Sequence, residues 1–394
     1  MIYLDNNATT RPLPAALAAV ADSLATFWHN PSSIHRPGQD ARAKIELARA
    51  SIASLIGTVP RNITFTSGGT EAIDLAIRGT LATTRKTRVL TTAVEHAAIR
   101  DLVWHLAKRN EVEVVTAPID RAGVVRLDTL EGLIDDSIAL VSIQWANNET
   151  GAIQPVSPIA SLCRARRVPF HCDATQWVGK EPVQLDSPEG DLTGPDLLTF
   201  APHKFHGPKG VGVLYARQGT GLVPRIRGTQ EKERRGGTEN VPGILGAGAA
   251  ADAARVWLTE SPSERARLGV LRDWFEAQVI RRAIDASVPA EVNGPRGGSS
   301  ARLWNTTNIA FPRLEAEALL LAMSERGLAA SAGAACSSGS LDPSPVLLAM
   351  GVPPELAHGS IRFSLSRETT QNELEQAAAI VGACVKKLSQ SLMR

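Results

Sequence analysis

Residues 63–92, ITFTSGGTEAIDLAIRGTLATTRKTRVLTT, contain two β-rich runs separated by a helical pattern. The runs Ile63–Thr66 and Arg88–Thr92 predict two strands. Between them, the apolar residues recur at the spacing that places them on one face of a helix: Ile73, Ala76, Ile77 and Leu81. The stretch therefore predicts a strand, a helix and a second strand in sequence.

The same alternation continues on both sides, over about residues 60–216. Further runs predict strands at 112–116, 138–143, 168–172, 197–200 and 211–215. Helical patterns near 97–109, 128–135 and 156–167 separate several of them. Strands that alternate with helices favour the α/β class, with a mainly parallel sheet covered by helices on both faces. In such sheets, ligands bind beyond the carboxyl ends of the strands.

The pattern changes after about residue 243. Helical patterns at 243–256, 263–284, 314–326 and 372–392 are interrupted by strand candidates at 307–311 and 360–365. This mixture predicts a smaller α+β domain. We expect a large domain over residues 14–255, and a small domain formed by residues 1–13 and 256–394.

Composition restricts the class of protein. The chain has 394 residues, a formal net charge of +2 and 43% hydrophobic residues, which gives no global attraction to nucleic acid or anionic lipid. The N-terminus lacks a basic segment followed by an apolar core, and no apolar run approaches the roughly 20 residues that cross a bilayer. We therefore expect a cytoplasmic protein that binds neither nucleic acid nor membrane.

The cysteines indicate no metal site. Cys163, Cys172, Cys336 and Cys384 form no C-x-x-C pair, as a structural zinc site would use. Three of them lie in predicted helices or strands, where a buried thiol acts as a small apolar group. Cys336 lies instead in the Gly/Ala/Ser-rich loop 331–340. Small residues would leave its thiol mobile and unshielded, although the loop is also compatible with a plain connector.

Two segments could hold a cofactor ring. Lys204 follows a predicted buried strand within FAPHKFHGPKG (200–210), and its amine could form a Schiff base, because burial lowers the pKa of a lysine. A surface lysine on a loop is the alternative. Asp173 follows the strand candidate 168–172 and could pair with a protonated pyridine nitrogen. A helix N-cap is the alternative there.

Three further segments suit phosphate, a ring face and a carboxylate. The turn Thr66–Glu71 offers glycines and a helix N-terminus, which favour phosphate, although a plain strand-to-helix turn fits as well. His96 could stack on a ring and move protons, or be structural. Arg362 lies in an apolar strand and could hold a carboxylate, or form a structural ion pair.

Together and in this order, these segments resemble the cysteine desulfurases of the NifS/IscS type, which are fold-type I enzymes dependent on pyridoxal 5′-phosphate (PLP) and related to class-V aminotransferases. The resemblance extends almost from end to end. The segments that carry it are 3–10, 30–33, 65–71, 95–96, 145–151, 173–176, 203–204, 234–240, the Cys336 loop and 360–365.

The resemblance implies roles around the cofactor. Lys204 would hold PLP as a Schiff base and move protons, and Asp173 would keep the pyridine nitrogen protonated. Gln176 would reach the phenolic oxygen, and His96 would stack on the ring and act as acid or base. The phosphate contacts implied are Gly69, Thr70 and His203, together with Thr238 of a neighbouring subunit, which implies a homodimer.

The resemblance also implies a reaction. Asn148 and Arg362 would hold the carboxylate of L-cysteine, and the Cys336 thiolate would attack the substrate sulfur. The products would be L-alanine and a Cys336 persulfide, which would supply a protein sulfur acceptor such as an Fe–S scaffold or a sulfur carrier. A selenocysteine lyase, a class-V aminotransferase and a non-catalytic PLP-fold scaffold are the alternatives.

The chain departs from the family pattern at four places. Ala201-Pro202 stands where Ser-Gly is usual, so that one hydroxyl contact to the phosphate is lost, and we expect weaker retention of PLP. The loop Arg227–Glu233 differs from the usual Gly-Gly-His-Gln-Glu-Arg-Gly. Ala332 and Ala334 replace serines before Cys336. Pro345 replaces a His or an aromatic residue, and these last changes could alter how sulfur is passed on.

Overall fold

The computed structural model describes residues 1–186, 194–296, 298, 301–333 and 342–392. The predicted sulfur-accepting residue, Cys336, lies outside the described residues.

The strands in chain order are β1 (Ile2–Tyr3), β2 (Ile63–Thr66), β3 (Arg88–Thr92), β4 (Glu113–Ala117), β5 (Ile138–Ser142), β6 (Phe170–Asp173), β7 (Leu197–Phe200), β8 (Gly212–Ala216), β9 (Glu291–Val292), β10 (Thr306–Ala310), β11 (Leu328–Ala329) and β12 (Ser360–Ser364). The helices are α1 (Pro14–Thr26), α2 (Arg36–Leu55), α3 (Gly69–Leu81), α4 (Ala97–Lys108), α5 (Leu127–Leu133), α6 (Val156–Ala165), α7 (Val241–Glu260), α8 (Pro262–Asp285), α9 (Ala316–Ser324), α10 (Pro345–Ala349), α11 (Pro354–His358) and α12 (Gln371–Leu392).

A seven-stranded sheet organises the first two thirds of the described chain, with the strand order β2-β8-β7-β6-β5-β3-β4. The pairs from β7 to β4 are parallel, whereas β8 is antiparallel to both β2 and β7. The predicted α/β class with a mainly parallel sheet is confirmed. Since β2 and β7 each oppose β8, they point the same way as the other strands, and their carboxyl ends share one edge.

Helices cover both faces of this sheet. Val213 and Tyr215 of β8 pack with α2 and α7 in one apolar cluster, whereas Leu214 and Ala216 pack with α3 and α4 in another. Successive strand residues point to opposite faces, so this division follows from the period of two. The result is a three-layer arrangement with the sheet in the middle.

A second apolar core lies around the antiparallel sheet β12-β10-β9. Phe275 of α8 stacks edge-on against Phe363 of β12, with ring centroids 5.2 Å apart. The N-terminal strand β1 pairs with β11, so residues at both ends of the chain join this core. The predicted division at residues 13 and 255 stays a prediction.

Two smaller observations concern membranes and thiols. Among the described helices, none combines the length and the apolarity that a bilayer crossing requires. Cys163, Cys172 and Cys384 are free and buried, and burial raises the pKa of Cys163 to about 12. These three thiols are therefore packing groups.

Candidate active site

The site lies at the shared carboxyl edge of the large sheet. Residues that directly follow β2, β3, β5, β6 and β7 line one cavity of about 250 Å³, to which β12 also contributes Arg362. Its lining comprises Asn7, Ala8, Gly69, Thr70, Ile73, His96, Ala98, Gln144, Ala146, Asn148, Asp173, Thr175, Gln176, Ala201, His203, Lys204 and Arg362. A parallel sheet brings chemically useful side chains together at this edge because its strands all end there.

Lys204 ends a short 3₁₀ turn, Pro202–Lys204, directly after β7. Its Nζ donates hydrogen bonds to the carbonyl oxygens of Asn7, at 2.7 Å, and Ala8, at 2.9 Å. The side chain is half-buried at the cavity wall. The amine is thus held by the N-terminal segment and borders the space that a ligand would fill.

Asp173 ends β6 and is buried. Its Oδ1 accepts the backbone N–H of Thr175 at 2.9 Å. The carboxylate therefore caps a local turn, and not the N-terminus of a helix as the alternative interpretation proposed, and it also lines the cavity. A buried carboxylate on this wall suits a cationic group such as a protonated ring nitrogen.

His96 follows β3 and caps the N-terminus of α4, with Nδ1 accepting the N–H of Ala98 at 3.1 Å. Accepting at Nδ1 leaves the proton of the neutral ring on Nε2. Burial lowers the pKa of His96, as does the nearby Lys204, whereas Asp173 raises it. A neutral imidazole at the cavity wall can stack on a flat ring.

The preceding residue, Glu95, is fully buried beneath the site. Its carboxylate accepts the hydroxyl of Thr92 at 2.6 Å and the N–H of Gln144 at 2.9 Å. Burial raises the pKa of Glu95 to about 8. This side chain ties the end of β3 to the segment after β5.

The start of α3 offers a cradle for an anion. The N-cap of this helix is Gly68. Within the described ranges of the chain, no side chain caps the helix, and a Cβ placed on Gly68 would meet no atom within 4 Å. Uncapped N–H groups at a helix start favour phosphate. His203 also lines the cavity, with Nδ1 3.1 Å from the hydroxyl of Thr9, and burial with Lys204 nearby lowers the pKa of His203 to about 4.

Arg362 of β12 is 1% exposed and reaches the cavity from the second core. It donates to Asp5 at 2.7 Å and to the carbonyl of Asn148 at 3.1 Å, while its Nε has no hydrogen-bond partner among the residues that the structure describes. Arg362 therefore forms a structural ion pair with Asp5, which was the alternative interpretation, and its guanidinium also borders the cavity together with Asn148. An under-satisfied buried guanidinium suits a carboxylate ligand.

The structure thus brings most of the predicted site residues into one cavity, with two exceptions. Thr238 is exposed and does not line the cavity. Cys336 lies outside the described residues, but both described flanks of its segment lie near Glu149, the neighbour of Asn148. The hydroxyl of Ser344 donates to Glu149 at 2.6 Å, and a Cβ on Gly333 would lie 2.7 Å from the same carboxylate oxygen.

Sequence reasoning missed two residues that organise this site. Asn7 accepts from Lys204 and Gln176 with its carbonyl, and its side chain contacts Asn148 and Thr306. Lys180 is buried against Asn7 and Gln176. The only sequence signal was position: Asn7 lies in the segment 3–10 that carries the resemblance, and Lys180 lies four residues beyond Gln176.

Comparison with known proteins agrees with the family resemblance that the sequence indicated. The family model "Aminotransferase class-V" matches residues 2–377. A cysteine desulfurase from Gluconacetobacter diazotrophicus is 41% identical over 392 residues, which is 99% of this chain and 94% of the relative. A protein named cysteine desulfurase IscS, from Dictyoglomus turgidum, is 41% identical over 390 residues, covering 98% of this chain and 95% of the relative.

Solved structures give the same result. A NifS-like protein superposes with a TM-score of 0.86 at 33% identity, covering 98% of this chain and 100% of that chain. Sequence and fold therefore agree over nearly the whole length of the chain. This chain belongs to the class-V aminotransferase family, and within it to the cysteine desulfurases of the NifS/IscS type.

Proposed function

We propose that this PLP-dependent cysteine desulfurase works in the cavity that Lys204 lines, where it converts L-cysteine to L-alanine and passes the sulfur to Cys336. The observation that carries the proposal is one cavity that joins a lysine amine, a buried carboxylate, a neutral imidazole and an under-satisfied arginine. No single member is specific, but the combination matches what an amino acid and a phosphorylated ring require.

The residues present fit PLP. The uncapped start of α3 at Gly69 and Thr70 would take the phosphate, with His203 beside it. Asp173 would pair with the ring nitrogen and Gln176 would donate to the phenolic oxygen. His96 would lie on the ring face, and Lys204 would hold the aldehyde. The uncapped helix N-terminus and the open space at Gly68 are the features that a phosphate would complete.

Bound PLP supplies an electron sink next to the substrate Cα. The protein supplies orientation and proton transfer. Arg362 and Asn148 hold the substrate carboxylate, which fixes Cα near Lys204. The Lys204 amine then takes the proton from Cα and, once the sulfur has left, returns a proton to Cα. The Nε2–H of the neutral His96 ring can donate a hydrogen bond to a thiolate, which favours the ionised form of the thiol.

Sulfur transfer needs the Cys336 thiolate. The attack of this thiolate on the substrate sulfur forms an S–S bond and breaks the Cβ–S bond. The substrate Cβ then takes up a proton to give L-alanine. The atoms balance without an added oxidant, because one thiol and one cysteine become one persulfide and one alanine. The described residues on either side of the Cys336 segment, Gly333 and Ser344, lie beside Glu149, the neighbour of the cavity residue Asn148, which supports this role for Cys336.

The proposal includes a second copy of the chain. Thr238 is exposed and outside the cavity of its own chain, so that a contact with a cofactor phosphate requires a neighbouring subunit. Large apolar side chains in and just after α1 support the homodimer: Leu17, Leu24, Trp28 and Ile34 are all more than half exposed. We further propose a cytoplasmic enzyme whose persulfide goes to an Fe–S scaffold or a sulfur carrier.

Incubation of the purified protein with L-cysteine and a reductant tests the reaction. We expect equal amounts of alanine and sulfide, and a cofactor absorbance that changes on addition of cysteine. The Cys336→Ser variant should lose alanine formation but keep the absorbance change, and the Lys204→Ala variant should be colourless. Full alanine production by Cys336→Ser would rule out Cys336 as the residue that accepts the sulfur.

A further inference from the structure

A second lysine, Lys180, lies directly behind the cavity. It follows Gly179, whose φ of +78° and close approach to Phe205 leave no room for a side chain. The buried Nζ of Lys180 donates to Oδ1 of Asn7 at 2.9 Å and to Oε1 of Gln176 at 2.5 Å. Both acceptors line the cavity. Lys180 thus contacts the site through two amides and does not itself line the main cavity.

The charge of Lys180 lacks a carboxylate partner in the part of the chain that the structure describes, where its hydrogen bonds go to amide oxygens. Burial lowers the pKa of Lys180 well below its ordinary value, and the cations Lys204 and Arg362 lower it further. Lys180 and Lys204 also border the same small cavity, of about 20 Å³. A buried ammonium group among cations is unfavourable by itself, so a positive charge on Lys180 requires the negative charge that a bound ligand adds.

The hydrogen bonds also fix the Gln176 amide. Because Oε1 accepts from Lys180, the other end of the amide must be the NH₂ group, and Nε2 donates to the carbonyl of Asn7 at 3.0 Å. A side-chain NH₂ group has two hydrogens, so one N–H stays available to a ligand oxygen. If the donor at position 180 were removed, the amide could flip and present its oxygen instead.

We propose that Lys180 is a positioning residue that holds the Gln176 amide with its N–H available to the phenolic oxygen of the cofactor and adds positive charge on that side of the ring. This inference rests on the proposed function, since it concerns the same cavity. It assigns to Lys180 an effect on the bound cofactor that a purely structural lysine would not have.

The pH titration of the visible absorbance of the holoenzyme tests this role. Removal of a nearby cation raises the pKa of the nitrogen that would join Lys204 to the cofactor. Loss of a hydrogen-bond donor to the phenolic oxygen raises the same pKa. The Lys180→Met variant, which keeps the length but not the donors, should therefore titrate about one pH unit higher than the wild type. Thermal unfolding of each holoenzyme checks that the variant is folded.

A double-mutant cycle separates positioning from structure. Gln176→Leu should also raise the midpoint pH of the absorbance titration. The double variant should show a smaller rise than the sum of the two single variants, because Lys180 acts through Gln176. The Lys180→Gln variant, which keeps a donor without the charge, should fall between wild type and Lys180→Met, and it replaces Lys180→Met if that variant does not fold.

An unchanged midpoint in Lys180→Met, or in Lys180→Gln where it replaces that variant, would overturn the inference, as would shifts that add in full. Both of these results leave the proposed function standing, because the wild type would still bind PLP and form alanine. A wild-type protein that gains no visible absorbance with PLP would overturn the two together.

Discussion

At the residue scale, Glu95 should make the stability of the protein depend on pH. Burial raises the pKa of Glu95 from 4.5 to about 8, so the folded chain binds this proton more tightly than the unfolded chain. The contribution of this proton to the free energy of unfolding is therefore fully present below pH 4.5 and is lost as the pH rises towards 8. We expect Glu95→Gln to remove a decline in the free energy of unfolding on the order of 4 kcal/mol over this window.

Denaturant unfolding of wild type and Glu95→Gln at several pH values between 4.5 and 8 measures the difference. The amide can still accept from the N–H of Gln144 and donate to the hydroxyl of Thr92, so the variant should fold. Parallel stability curves for the two proteins would show that Glu95 is ionised in the folded chain throughout, contrary to this expectation.

Also at the residue scale, Ala201 lies beside the helix N-terminus that we propose binds the cofactor phosphate. Its Cβ is 3.5 Å from a Cβ placed on Gly69, at the start of α3, and Ala201 lines the cavity. A hydroxyl here would donate to an anion, and one such hydrogen bond corresponds to about a tenfold change in affinity. Ala201→Ser should therefore lose PLP about tenfold more slowly during dialysis.

The exposed residue Ala82, just after α3, provides the control. Ala82→Ser adds the same hydroxyl far from the cavity and should leave the rate of PLP loss unchanged. Cofactor loss that is equally slow in the wild type and in Ala201→Ser would contradict the weaker retention expected from Ala201-Pro202.

At the scale of the element, the loop that departs from the family pattern is strained but anchored. Glu231, Lys232 and Glu233 all have positive φ, at 47°, 58° and 63°. Glu231 is buried in a bidentate pair with Arg49, at 2.7 and 2.8 Å, and also accepts the N–H of Phe65 at 2.7 Å. These contacts stabilise a backbone conformation with positive φ, which residues with a Cβ rarely adopt.

Glycine at the exposed position 233 should relieve part of this strain. We expect Glu233→Gly to raise the free energy of unfolding by about 0.5–1 kcal/mol, because glycine adopts positive φ without a steric penalty. The same change at Glu131, inside α5, should lower it by about 1 kcal/mol. Urea denaturation of both variants measures the two effects, and equal losses would show that position 233 is unstrained.

The elements show what local pattern predicts and what it cannot. The strands β2, β3 and β7 match their predicted bounds, and the other predicted strands differ by one or two residues, because strand and helix periods are local properties. The short strands β1, β9 and β11 were not predicted. The reverse direction of β8 could not be predicted, since it depends on pairing with β2 and β7, far away in the chain. Helices α1 and α2 were missed, although the alanines of α1 offered a propensity signal.

The same distinction applies to the site. Lys204, Asp173 and His96 follow predicted strands, so the rule for parallel sheets located them at one edge. Lys180 and Asn7 were missed because their burial depends on contacts between distant segments, from the N-terminus to β10. A lysine is rarely buried, so sequence alone favours the surface for position 180.

At the scale of the whole molecule, the exposed apolar side chains near α1 should be covered by a second copy. Ile34 is 96% exposed and Trp28 is 70% exposed, which is unfavourable in a monomer. We expect the double variant Trp28→Glu with Ile34→Glu to sediment as a monomer, while Leu321→Glu, a matched change on α9, leaves the dimer intact. A wild type that sediments as a monomer would remove this part of the proposal.

Mixed dimers test whether Thr238 acts across the subunit boundary. One chain carries Lys204→Ala and the other carries Thr238→Ala, so that one of the two sites combines an intact Lys204 with an intact Thr238 of the neighbouring subunit. If Thr238 contacts the cofactor of the neighbouring subunit, the Lys204-bearing chain of the mixed dimer should retain PLP as firmly as the wild type. If Thr238 acts within its own chain, that site should lose PLP as fast as the Thr238→Ala homodimer, because its own threonine is missing. Cofactor absorbance during dialysis, measured on tagged and purified mixed dimers, distinguishes the two arrangements, and the exposed position of Thr238 outside its own cavity favours the first.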